Sequence, residues 1–204
     1  QDIAEYGGVF KITEGFVELF GKERVRNTPI CESSIIEIAM GLSICNRKSI
    51  VELQFSDFIT SGFNPVVNYL AKVHYRWGQN ADVVLRMPCG AGVGAGPFHS
   101  QTNEAWFTKT PGLVVVYPAF PEDAKGLLIS SIENPNPVLF FEHKALYRSI
   151  RGKVPEGYYN IEIGKAKLLK VGNDITVITY GAGVHEAIKV VDKNSINCDL
   201  IDLR

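Results

Sequence analysis

The 204-residue sequence predicts an α/β fold, a parallel sheet flanked by helices and followed by the start of a second α/β domain. Three observations carry that expectation. Apolar runs at 81–87 (ADVVLRM), 113–117 (LVVVY) and 137–141 (PVLFF) are bounded by turn formers, as parallel strands covered on both faces are. Helical spacing fills the gaps at 65–77 and 121–133, the latter opening with Pro-Glu-Asp in the manner of a helix start. Over 148–162 (RSIRGKVPEGYYNIE) Gly, Pro, Tyr and charge replace the alternation, which separates residues 1–150 from a further strand-helix-strand pattern.

In chain order, residues 10–20 (FKITEGFVELF) place Phe10, Phe16, Val17, Leu19 and Phe20 on one apolar face that Gly21 ends, predicting a core helix. Arg24, Val25 and Arg26 read as a strand-like approach. A Pro-led turn then delivers Glu32 to the start of a helix whose apolar positions are Ile35, Ile36, Ala39 and Met40, ending over 41–46. Residues 49–55, with Ile50, Val51 and Leu53, form a β-rich run. The helix, two strands, helix and strand already described follow, and then a linker at 151–164. Residues 165–204 form the first part of a second domain: a strand at 174–180, Gly181-Ala182-Gly183, a helix over 184–193, and an apolar run at 198–203. The opening residues read as the tail of a strand and the last follow directly on an apolar run. The chain is therefore expected to be a fragment, lacking a first strand and the rest of its second domain.

Composition narrows the function. Lys plus Arg number 21 and Asp plus Glu 22, a net charge of -1, with no long run of either sign. Neither a nucleic-acid surface nor a polybasic membrane patch is supported. No stretch approaches the roughly 20 apolar residues of a spanning helix. Cys31, Cys45, Cys89 and Cys198 are scattered without a CxxC pair, as reduced thiols of a cytosol-like compartment are.

Three stretches carry chemistry. Glu32 stands where a strand-to-loop approach becomes a helix, the place where open α/β sheets hold ligands. An acid in a first helical turn also serves the helix dipole, with Ser33 or Ser34 as alternative caps, so both readings stay open. The loop 89–101 (CGAGVGAGPFHSQ) lacks a complete GxGxxG, which argues against a dinucleotide phosphate loop. Its glycines allow unusual backbone angles, and the loop delivers His99, Ser100 and Gln101 to a site. Residues 52–63 (ELQFSDFITSGF) set three phenylalanines around small polar residues, as core or as a flat surface for a heteroaromatic ligand.

The motifs TPICE at 28–32, ELQFSDF at 52–58, RMPCGAGVGAGPFHSQ at 86–101, EDAKGLL at 122–128 and NPNPVLFFEHKALYR at 134–148 resemble the beta chain of thiamine-diphosphate-dependent 2-oxo acid dehydrogenases. Cys31, Gln54 and FFEHKALYR make it most like the branched-chain, 2-oxoisovalerate, members, with pyruvate and acetoin relatives close by. The resemblance implies that residues 1–150 are a transketolase-like pyrimidine-binding domain. It implies an alpha chain that holds magnesium and the diphosphate, an assembly of two alpha and two beta chains, and a lipoyl-bearing acyltransferase that receives the acyl group. A bacterial cytoplasm, or a mitochondrial matrix, is the implied compartment. Glu32 matches the glutamate that hydrogen-bonds a ring nitrogen of the cofactor's aminopyrimidine, favouring the imino tautomer that takes the thiazolium proton. Phe58 matches an aromatic ring beside the pyrimidine, and His99 the histidine near substrate and lipoyl group. Arg86 and Gln101 are expected to support the site. Gln54 either touches the cofactor or is an amide satisfied by backbone. Relatives also hold a potassium ion through oxygens at positions matching Ala81, Val83, Val84, Ser131, Asn134 and Asn136; Asn134 stands where some carry an acid.

Overall fold

The computed structural model describes residues 1–204. Seven helices, α1 Phe16–Phe20, α2 Glu32–Ile44, α3 Ala71–Trp77, α4 Ala105–Thr108, α5 Pro121–Glu133, α6 Leu146–Ser149 and α7 Ala182–Lys193, surround two sheets. The first sheet contains β1 Ser49–Glu52, β2 Val83–Cys89, β3 Val114–Val116 and β4 Val138–His143, all parallel, in the order β1-β2-β4-β3. The second contains β5 Lys167–Lys170, β6 Ile175–Thr179 and β7 Cys198–Asp202 in the order β5-β7-β6. There β6 and β7 run parallel across α7, and β5 is antiparallel to β7.

The unbroken apolar runs become the central strands because both faces are covered. Every residue of β2 is buried, as are Val138, Leu139, Phe140 and Phe141 of β4. One face packs Leu85, Met87, Leu139 and Phe141 against Ile36, Ala39, Val66, Leu70 and Val73. The other packs Val84, Val116, Val138 and Phe140 against Leu127 of α5, with Ile161 and Ile163 laid alongside. Each large side chain so buried stabilises the fold by about 1.5–3 kcal/mol.

The stretch between α6 and β5 has no helix or strand, yet it is fastened to α5. Ser130 Oγ meets Ile161 O at 2.5 Å, Tyr159 Oη donates to Glu122 O at 2.8 Å, and Lys125 Nζ donates to Pro155 O at 2.7 Å. The second unit is docked as well. Tyr180 Oη donates to Glu104 Oε1 at 2.9 Å, the Tyr117 and Tyr180 rings lie 5.5 Å apart, and Lys167 and Arg204 reach Asp123 at 3.1 and 3.4 Å.

Two local expectations fail. Only Phe16–Phe20 of the 10–20 segment is helical, and none of its residues is buried; Leu19 is 72% exposed. Lys11 at φ 61° and Gly15 at φ 82° are left-handed, so a 3.6-residue repeat cannot run through the segment. Phe10 instead packs edge-on against Phe55 and Tyr147, with centroids 6.0 and 5.0 Å away. The Arg24–Arg26 approach joins no sheet: the amides of Arg24 and Val25 both turn back to Gly21 O at 3.1 Å. The 65–77 helix forms with a wider first part, π-helical over Pro65–Leu70 before α3.

Candidate active site

Glu32 on α2, and Gln54, Phe58 and His99 beyond the carboxyl ends of β1 and β2, are the predicted residues of this end of the sheet. Glu32 is the first residue of α2, after Cys31 in extended backbone at φ -159°. No side chain caps this helix. The Glu32 carboxylate is engaged outside it, Oε1 accepting from Gln1 Nε2 at 3.0 Å and Oε2 from Ser61 Oγ at 2.9 Å. It is 7% exposed, and its charge lies at the positive end of a 13-residue helix. Glu32 thus faces a recess of about 310 Å³ whose walls are Gln1, Ile30, Gln54, Phe58, Thr60 and Ser61. Three predicted residues, Glu32, Gln54 and Phe58, meet here. The Gln54 amide, however, turns to the Asp2 carboxylate, a side-chain partner rather than the backbone.

His99 arrives from the glycine-rich loop. The loop is closed at its base by Gly90 N donating to Gln101 O at 2.8 Å, and Gly90, Gly92, Gly94 and Gly96 all have positive φ. Gly90 is needed twice over, since at φ 81° a side chain is strained and a Cβ would collide with the His143 ring. Two groups pin the far end. Asp57 Oδ1 accepts from Gln101 N at 3.0 Å, and Lys144 Nζ donates to His99 O at 2.7 Å. These bonds hold the His99 ring edge-on to Phe55 and Phe58, at 5.0 and 5.4 Å, so it stands behind the aromatic wall of the recess. Lys144 is 3% exposed and lies 4.7 Å from the Phe55 centroid; burial holds its ammonium below the ordinary lysine pKa.

Arg86 lies on β2 between two acids. Its guanidinium pairs with Glu52 of β1 and in two-pronged fashion with Glu142 of β4, whose Oε2 also accepts from Tyr147 Oη at 2.5 Å. One buried cation therefore ties the ends of three strands together beneath the site. Burial pushes the Glu52 carboxyl above its usual range. Ser61, Asp57 and Lys144 are the contributors that sequence reasoning missed as site residues, although Lys144 stands within FFEHKALYR.

The six positions expected to bind potassium lie at the start of β2 and around the end of α5, and three of them have oxygens with hydrogen-bond partners within the chain. Ala81 O accepts from Val83 N at 2.8 Å, Ser131 Oγ donates to Leu127 O at 2.7 Å, and Asn134 Oδ1 accepts from Asn136 N and Nδ2 at 2.9 and 3.0 Å. Lys48 Nζ donates to Ile132 O at 2.7 Å and to Asn134 O at 3.4 Å. Lys48 thus places an ammonium against Asn134 O, one of the expected ligand positions.

Residues 1–149 match the transketolase pyrimidine-binding domain family. Similar proteins include the 2-oxoisovalerate dehydrogenase subunit beta of Bacillus subtilis (strain 168) and the pyruvate dehydrogenase E1 component subunit beta of Staphylococcus epidermidis and Staphylococcus aureus. Each is 44% identical over 209 aligned residues, which cover 100% of this chain and 64% of the relative. The chain thus spans slightly under two thirds of the length of these curated relatives. Among solved structures, a split gene transketolase described as an inactive beta4 tetramer has the same fold, with a TM-score of 0.73 at 24% identity, covering 96% of this chain and 61% of that one. With the family match over most of its length, the chain belongs to the transketolase pyrimidine-binding domain family.

Proposed function

We propose that this chain is the pyrimidine-binding part of the beta subunit of a thiamine-diphosphate-dependent 2-oxo acid dehydrogenase, oxidatively decarboxylating a branched-chain 2-oxo acid and passing the acyl group to lipoyl on a partner acyltransferase. The observation that carries this reading is a buried acid, Glu32, facing a recess beside an aromatic side chain, Phe58. The recess suits one substituted heteroaromatic ring, and its donor set is what an aminopyrimidine needs: a carboxyl for a ring nitrogen and an apolar face for the ring. Thiamine diphosphate, when bound, supplies the electron sink for decarboxylation.

This chain's residues do the rest. Ser61 fixes Glu32 Oε2, which leaves Oε1, now meeting an amide N–H of Gln1, to hold a proton toward the ring nitrogen. Phe58 presents an aromatic side chain to the ligand while its edge contact supports His99. His99 moves a proton during acyl transfer, and Lys144 and Asp57 keep its loop in place. An alpha chain, in an assembly of two alpha and two beta chains, contributes magnesium and the diphosphate site. Cys31, Gln54 and the 140–148 stretch favour a branched-chain substrate. Equal identity to pyruvate dehydrogenase beta subunits keeps pyruvate as the second reading.

The test is to co-express the full-length subunit with its alpha chain and compare turnover of 2-oxoisovalerate and pyruvate, for wild type and Glu32→Gln. The expected result is preference for 2-oxoisovalerate and a loss of about 10²–10⁴-fold in the variant, with assembly intact by gel filtration. Pyruvate preference with the same loss keeps the mechanism and moves the substrate. Undiminished turnover by an assembled Glu32→Gln enzyme overturns the site.

A further inference from the structure

Lys48, one residue before β1, extends its ammonium to the far end of α5. The last carbonyls of a helix have no partner within it, and the dipole makes that end negative. Ile132 O and Asn134 O belong to this terminus, and Asp82, just ahead of β2, faces them. Lys48 Nζ lies 2.7 Å from Ile132 O, 3.4 Å from Asn134 O and 3.3 Å from Asp82 Oδ2. An ammonium has three N–H groups and no acceptor, so three oxygens from two segments match it in number. The Asp82 carboxylate is set for the role from behind: its Oδ1 takes the hydroxyl of Ser43, and its amide donates to the same hydroxyl at 3.0 Å.

We propose that the Lys48 ammonium is the resident cation of this oxygen cage, a tethered charge in the place of a bound potassium ion, so that the protein has no monovalent-metal requirement. Carbonyl and carboxylate oxygens form the donor set a hard cation would take. The one acid salt-bridged to Lys48 is Asp82, beside the partial charge of the helix terminus; Asn134 adds no charge.

The experiment is thermal unfolding of the full chain, wild type and Lys48→Ala, in KCl, NaCl and choline chloride at equal ionic strength, with potassium on the dialysed protein measured by atomic emission. Wild type is expected to have the same Tm in all three salts and to retain no stoichiometric potassium. Lys48→Ala is expected to unfold about 2–4 °C lower in choline chloride and to recover part of the loss in KCl. A saturable, potassium-specific rise in the wild-type Tm, or one potassium per chain after dialysis, overturns the proposal. So does a Lys48→Ala protein with the wild-type Tm in choline chloride.

Discussion

Glu32 could serve its helix or a ligand, and its partners favour the ligand. Both oxygens look away from the α2 amides, and the nearest side-chain hydroxyl, Ser61, comes from 29 residues along the chain. Ser61→Ala should therefore leave the fold intact and loosen the acid, weakening thiamine diphosphate affinity or turnover about fivefold, the worth of one hydrogen bond of ~1 kcal/mol; titration of the cofactor into the assembled enzyme reads it. The thiols form a second contrast. Cys89 is buried, which pushes its thiol up to about 12, whereas Cys31 is exposed and the Ser34 and Ser33 hydroxyls hold its thiol below the usual value. Alkylation at pH 8 followed by mass spectrometry should label Cys31 first and leave Cys89 unmodified until the chain unfolds.

The glycine-rich loop has few apolar contacts at its tip and depends on the anchors at its two ends. Lys144 is the anchor nearest His99, so Lys144→Met, which keeps the buried stem, should release the loop without unfolding the sheet. Hydrogen exchange of the 90–101 amides is expected to quicken while β2 and β4 stay protected, and Lys144→Arg should restore much of the protection. Such ties explain what the sequence could disclose. The strands and α5 were legible because burial on both faces leaves unbroken apolar runs, and Glu32, Gln54, Phe58 and His99 because they stand in recognisable motifs. The Lys144 to His99 bond joins positions 45 apart, and no local periodicity encodes it. The 10–20 segment misled for the converse reason. Its apolar spacing was helical, but left-handed Lys11 and Gly15 broke the repeat, and the phenylalanines went to a surface and to Tyr147. Periodicity reports which residues are apolar, and the backbone decides whether they share a face.

At the scale of the whole molecule, His143 contributes a loss of stability on acidification. Burial, and then the Lys144 charge, hold the His143 ring below its ordinary value of 6.5. Between the folded and unfolded values the unfolded chain binds the additional proton, so stability falls as pH drops below about 6.5. Thermal unfolding at pH 7 and pH 5.5 should show a loss that His143→Asn makes smaller. The surface is unusually apolar in places: Ile38 is 63% exposed on α2, Tyr75 95% and Trp77 69% at the end of α3. Such faces would suit the proposed assembly with an alpha chain. The two sheets are also less independent than their separate cores suggest. Tyr180, at the end of β6, holds Glu104 only a few residues beyond Gln101, the closing residue of the His99 loop. Evolution or an engineer exchanging the C-terminal unit as a cassette would thus be editing the His99 loop as well. A transplanted unit without a hydroxyl at position 180 would inherit the scaffold and lose part of the loop's alignment.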